Sequence, residues 1–165
     1  METPDETTIY ALKKAKENGC TTILNPAPAR KIDEENFKLI DFFTPNETEA
    51  EFYLNKKIKT ESDIKNAGQE LLKKGVKNVI ITLGEKGVYF ANKEENFFLN
   101  AFELKEPVLD TTGAGDAFNG ALTVSLASNL DIKEALIFAN KIAGISTTKL
   151  GAAASMPFTK DLVNY

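Results

Sequence analysis

A chain of 165 residues with 20 basic and 24 acidic side chains has a formal net charge of −4, which argues against a nucleic-acid or anionic-membrane surface. The length suits one soluble domain or part of a larger one, able to bury roughly two thirds of its chain surface. The sequence has no histidine, which removes Ser-His-Asp and Cys-His nucleophiles and the H-E-x-x-H zinc site, so proton transfer falls to a carboxylate, lysine or tyrosine. The single cysteine, Cys20, can form neither an internal disulfide nor a cysteine zinc site, which points to a reducing compartment. The start, Met1 to Glu6, lacks the basic and apolar regions of a signal peptide, and no apolar run reaches membrane-spanning length. The expectation is a soluble, cytoplasmic protein with no membrane partner.

The chain opens on a predicted helix. Thr3 and Glu6 form a capping-box pair, Pro4 suits the first helical position, Ile9, Leu12 and Ala15 mark the apolar stripe, and Gly19 suits the stop. Residues 21–24 read as a short strand ended by Asn25-Pro26-Ala27-Pro28, and 41–44 as another ended by Pro45. Asn46 can cap a helix running to about Leu54. Residues 61–74 carry Ile64, Ala67, Leu71 and Leu72 at helical spacing before Gly75, and the apolar run 79–83 follows as a buried strand. Gly84-Glu85-Lys86-Gly87 predicts a tight turn into Val88-Tyr89-Phe90, with Phe97-Phe98-Leu99 as a further, antiparallel strand. Residues 114–128 are apolar on most sides, as in a helix buried among neighbours, and a last helix starts at the Asp131 to Glu134 box. Helices alternating with strands, then a hairpin, then two helices give an α/β chain with no internal repeat or interdomain linker.

The strongest chemical signal is the glycine-bearing loop Asp110-Thr111-Thr112-Gly113-Ala114-Gly115-Asp116, which opens an apolar helix. Successive N–H groups at a helix N-terminus can hold an anion without arginine, and Arg30 is the only arginine in the sequence. Asp116, in the first turn, would repel a bound anion. It is well placed if it accepts a proton from a hydroxyl that attacks a bound phosphate. The plainer reading is that Asp116 caps the helix and the glycines shape a turn. The loop is not G-x-x-x-x-G-K-[ST], and G-x-G-x-x-G would need glycine where Phe118 stands.

The run "DTTGAGDAFNGAL" resembles the C-terminal catalytic motif of the ribokinase-like carbohydrate kinases, also called the phosphofructokinase B family. The likeness extends in order through "LNPAPA", "DFFTPNETEAE", "VIITLGEKGVYF", "FANKIAGIS" and "GAAASMP", across about residues 20–157. "NPAPA" with "PNETEAE" is similar to the ribokinase branch more than to adenosine kinase, fructokinase or ketohexokinase. The resemblance implies a partial three-layer α/β/α domain, with residues 1–165 as the ATP-binding and catalytic part. It makes Asp116 the general base, and the backbone of Gly113, Ala114 and Gly115 an anion hole. Asn46 would contact ATP phosphates and Glu49 would act on magnesium through water. Thr82, Gly84 and Gly87 match the nucleotide-contacting "TLGxxG", and Asn140 the residue beside the adenine ring. Without the resemblance, these read as a helix cap, a solvated helix face, a hairpin turn and an ordinary polar residue.

The resemblance also implies a potassium ion beside the anion hole. It would be held by the side chains of Asp110 and Ser155 and by carbonyls of Thr112, Ser146, Lys149 and Gly151, a donor set suited to a single charge. Otherwise Asp110 caps a turn and Ser155 is exposed. Family members are about twice this length, with the sugar site and a small β-sheet lid in the N-terminal half, so an exposed strand edge and apolar surface are expected here. Lys141 and Gly144 interrupt a helix that is usually richer in alanine, which predicts local weakening. The implied activity is transfer of the ATP γ-phosphate to the 5-hydroxyl of D-ribose, low or lost in this chain alone. Another sugar or nucleoside kinase, and a non-catalytic nucleotide-binding fragment, remain the alternatives. A homodimer is an assembly open to a full-length parent.

Overall fold

The first helix, α1 (Asp5–Glu17), places Asp5 and Glu6 in its first turn and Lys14 and Lys16 in its last, matching the helix dipole. The structure, a computed structural model, describes residues 2–164. Pro4 is the N-cap and not the first helical residue, and the predicted Thr3 capping box is absent: the Thr3 hydroxyl pairs with that of Thr8 at 2.8 Å. Proline without an N–H and an extended φ/ψ suits the cap position, which leaves Thr3 outside capping reach. The stop is as expected. Gly19 takes φ +71, and N–H groups of Gly19 and Cys20 return to the carbonyls of Lys16 and Ala15, the two bonds of a Schellman ending.

The described chain falls into two compact bodies: residues up to Leu83 with Val88–Phe98, and Gly84–Gly87 with residues from Leu99 on. In the first, β1 (Ile23–Leu24) and β2 (Phe42–Phe43) are shorter than predicted. A 3-10 helix at Glu34–Leu39 precedes β2 and buries Phe37, and α2 (Glu47–Leu54) and α3 (Glu61–Lys73) follow. The sheet continues with β3 (Asn78–Thr82), β4 (Val88–Ala91) and β5 (Asn96–Leu99), in spatial order β1-β2-β3-β4-β5. The first three are parallel, with Phe43 opposite both Leu24 and Val79, and β3 and β4 are antiparallel, with Ile81 opposite Tyr89. A continuous apolar strand is what a sheet covered on both faces requires, and Val79, Ile80 and Ile81 are all fully buried. Phe37, Phe43 and Tyr53 meet edge to face, with ring centroids 5.2–6.0 Å apart.

In the second body, α4 (Ala114–Ala127) and α5 (Ile132–Ser146) pack on one another. Asp131 caps α5 by accepting the Glu134 N–H at 2.9 Å. The buried residues of α4, among them Ala117, Phe118, Ala121 and Leu122, lie on one face, and Val124 is 62% exposed. This corrects the expectation of a helix buried on most sides, because the face bearing Val124 has no covering element among the described residues. α5 runs unbroken through Lys141 and Gly144, the two positions expected to weaken it. Lys141 lies over the Phe102 ring, and a Cβ at Gly144 would already touch Leu104 at 3.4 Å, so both positions serve packing. β1 forms one edge of the sheet, and no described helix is long and apolar enough to cross a membrane.

Candidate active site

In the first body, the site residues lie past the carboxyl ends of the parallel strands, where open α/β sheets bind ligands. The chain leaving β2 stays beside β3: Pro45 accepts the Thr82 N–H at 2.9 Å, and Asn46 bridges to Thr82 in parallel register. Asn46 then caps α2. Its Oδ1 accepts the Glu49 N–H at 2.8 Å, while Glu49 Oε2 accepts the Asn46 N–H at 2.9 Å. The reciprocal pair is a complete capping box. Glu49 is buried and not on a solvated helix face, so its carboxylate is fixed in place.

In the second body, α4 starts at Gly113, whose φ of +79 lies in the left-handed region and suits glycine. A Cβ there would also crowd Ala152 at 3.1 Å and Met156 at 3.3 Å. Asp116 is exposed in the first turn, and α4 has no side-chain cap, so the plainer reading of Asp116 as a cap is not what the chain builds. The Ala114 N–H returns to the Thr111 carbonyl at 3.2 Å, which corrects the expectation that it joins Gly113 and Gly115 in the anion hole. Among the described residues, the N–H groups of Gly113, Gly115 and Asp116 have no such partner and are open to an anion.

The loop before α4 is braced from a distance. Asp110 Oδ1 accepts the Thr112 N–H and Oδ2 the Gly151 N–H, both at 2.9 Å. Hydrogen bonds from the side chain and backbone of Thr112, then from Gly151, hold the Asp110 carboxyl below the usual carboxylate range. The Thr147 carbonyl accepts the N–H groups of both Leu109 and Asp110. Ser146 accepts the Lys149 N–H on its carbonyl, and Ser155 is fully buried, not exposed. Thr147 lies outside every motif segment, and its role, like the packing of Ala152 and Met156 on Gly113, is set by contact across the fold.

The remaining predicted residues also belong to the second body. Gly84 is exposed and Gly87 buried in the turn after β3. On α5, Asn140 donates its Nδ2 to the Asn100 carbonyl at 3.2 Å.

No cluster of three or more metal-ligating side chains occurs among the described residues. Glu49, buried and accepting the Asn46 N–H, is a fixed carboxylate of a kind that can hold one water of a magnesium ion. Asp110 brings one carboxylate to a loop whose other oxygens are neutral, a donor set suited to a singly charged cation.

The model of the pfkB family carbohydrate kinases matches residues 2–159. A ribokinase of Staphylococcus aureus is 39% identical over 98% of the chain and 53% of its own length. A crystal structure of ribokinase from Thermotoga maritima matches with a TM-score of 0.82 and 39% identity, covering 93% of this chain and 51% of that one. Arabidopsis thaliana ribokinase, complexed with ribose and ATP, matches with a TM-score of 0.90 and 32% identity, covering 98% and 52%. The chain therefore spans about half the length of the curated relatives it matches.

Proposed function

We propose, from the premise that this chain belongs to the pfkB family of carbohydrate kinases, that it is the ATP-side and catalytic part of an enzyme phosphorylating D-ribose at its 5-hydroxyl. The observation that carries the reading is the start of α4. A left-handed glycine there leaves N–H donors open beside an exposed carboxylate that caps nothing.

Asp116 accepts the proton of the sugar hydroxyl as its oxygen bonds to the γ-phosphorus and the bond from phosphorus to the ADP oxygen breaks. The N–H groups of Gly113 and Gly115 stabilise the charge developing on the transferred group, with Ala114 between them keeping the turn. Asn46 contacts ATP phosphates, Thr82 and Gly84 each keep the nucleotide-contacting role that the resemblance gives them, and Asn140 sits beside the adenine. Bound magnesium would neutralise phosphate charge, with Glu49 orienting one of its waters. Potassium would be held by Asp110, Ser155 and the carbonyls of Thr112, Ser146, Lys149 and Gly151, fixing the loop that presents the donors. The one free cysteine, Cys20, supports a cytoplasmic setting.

Titration of ADP with magnesium into this chain tests the ATP-side reading, and heat of binding with defined stoichiometry is expected. Absence of any nucleotide binding would sink it. A coupled ADP-release assay on a full-length kinase carrying these residues, run with ribose, deoxyribose and fructose 6-phosphate, tests the acceptor. Preference for another sugar would overturn the ribose assignment alone.

A further inference from the structure

The two glycines of the Gly84–Gly87 turn differ in what surrounds them. Gly84, at φ +58, has nothing within 4 Å of where a Cβ would stand. Gly87, at φ +98, has main chain there: a Cβ would lie 2.0 Å from the Leu99 carbonyl oxygen and 2.5 Å from Asn100 C and Ala101 N. These are backbone atoms, so no rotamer change relieves the clash. The segment seated against Gly87 carries the Asn100 carbonyl that accepts Asn140 Nδ2 at 3.2 Å. Further along, the same segment is held to α5 by Lys141 over the Phe102 ring, at 5.5 Å, and by Gly144 against Leu104.

We infer that Gly87 is a positioning residue: it seats Leu99–Ala101 and, through the Asn100 carbonyl, fixes the side-chain amide of Asn140, whereas Gly84 is the glycine of this turn left open to a ligand. A terminal amide can turn over and exchange its oxygen and nitrogen. Donation to Asn100 sets which end is which and leaves Oδ1 as an acceptor, suited to an exocyclic amine such as that of adenine and unsuited to the carbonyl of guanine. The base-selecting consequence rests on the proposed function; the link from Gly87 to Asn140 does not.

The first measurement needs no ligand. In nitrogen-15 correlation spectra of this chain, Gly87→Ala should move the Asn140 side-chain amide pair toward solvent-exposed values, and Gly84→Ala should not. A folded Gly87→Ala variant with Asn140 unmoved overturns the inference. Should Gly87→Ala not fold, Asn140→Ala reads the link from its other end. The Asn100 carbonyl carbon and Ala101 N–H should then shift while Gly84 stays, and no shift there overturns it equally.

The second measurement compares ADP with GDP, each with magnesium, by titration calorimetry. Gly87→Ala should lower the preference for ADP by about tenfold, the scale of one hydrogen bond, and should have no further effect on an Asn140→Ala background. Equal weakening of both nucleotides in both backgrounds would make Gly87 a stability residue and overturn its part in selectivity. If the parent chain binds neither nucleotide, the proposed function falls, and the resonances still decide the link.

Discussion

Asn46 and Glu49 hold each other by two hydrogen bonds, at 2.8 and 2.9 Å, each from one residue's backbone N–H to the other's side chain. Both residues assigned to phosphate and magnesium are thereby fixed to the start of α2, so stability and ligand binding can be separated by choice of substitution. Glu49→Gln keeps an acceptor for the Asn46 N–H and should leave the melting temperature nearly unchanged, while magnesium-dependent nucleotide affinity falls. Asn46→Ala should cost about 1 kcal/mol through loss of the cap, and Asn46→Ser should restore most of it. Thermal unfolding and calorimetry with and without magnesium read both effects. Unchanged magnesium dependence in Glu49→Gln would remove Glu49 from the metal site.

Two helical glycines should respond oppositely to alanine. Alanine gains up to about 1 kcal/mol over glycine in a helix interior. At Gly120 in α4, nothing lies within 4 Å of the added Cβ, so that gain should appear as a higher melting temperature. At Gly68 in α3, the Cβ would stand 2.6 Å from Cε1 of the fully buried Tyr89. Overpacking costs roughly 1–3 kcal/mol and should outweigh the propensity gain. A stabilised Gly68→Ala would show that the Tyr89 ring has room to move.

Asp41 should govern acid stability. Burial of its carboxyl raises its pKa, but hydrogen-bonded Lys16 and Lys77, with backbone and hydroxyl donors on Thr22, outweigh that and hold it well below the ordinary range. A depressed carboxyl pKa contributes stability above the unfolded value of about 3.9 and loses it as pH falls below that. Asp41→Asn should therefore cost about 2 kcal/mol near neutrality, discounted because Lys77 is largely exposed. The gap between parent and variant should close from about pH 4 downward, by about 1.4 kcal/mol per pH unit. Urea unfolding across that range measures it, and a gap independent of pH would show that the ion pairs are not its source.

The elements were legible where local chemistry marks their ends. Asn46 and Asp131 announce α2 and α5 by their capping chemistry, and Gly19 and Gly75 announce stops by the positive φ they take. The Thr3 box failed because proline at the cap shifted the helix start by a residue. The 3-10 helix at Glu34–Leu39 has no 3.6-residue apolar period to show it. For the candidate site, residue types were readable and their supports were not. Only the resemblance put Asp110 and Gly151, 41 positions apart, around one cation, and Lys16 meets Asp41 across 25 positions with no pattern in the intervening sequence to show it.

Potassium sensitivity should depend on Asp110. Its two oxygens join the Thr112 and Gly151 loops, and a cation held there would neutralise the carboxylate while ordering the segment that leads into Gly113. This chain should melt higher in potassium chloride than in sodium chloride at equal ionic strength, and Asp110→Ala should abolish the difference. Identical melting of the parent in both salts would count against a cation at this loop.

Asp116→Asn separates catalysis from folding more cleanly than the sequence alone suggested, because α4 takes no side-chain cap. A carboxylate in the first turn still favours the helix dipole, so its neutralisation should cost only about 0.3–1 kcal/mol. Asparagine is nearly the same shape but cannot accept the hydroxyl proton. In a full-length kinase carrying these residues, turnover should fall by roughly 10²- to 10⁴-fold. Nucleotide affinity should hold or rise, since a negative charge beside the open N–H groups of Gly113 and Gly115 is removed. Turnover, ADP affinity and melting temperature measured on one preparation distinguish the roles. Near-normal turnover would mean that the proton leaves by another route and that Asp116 is not the base.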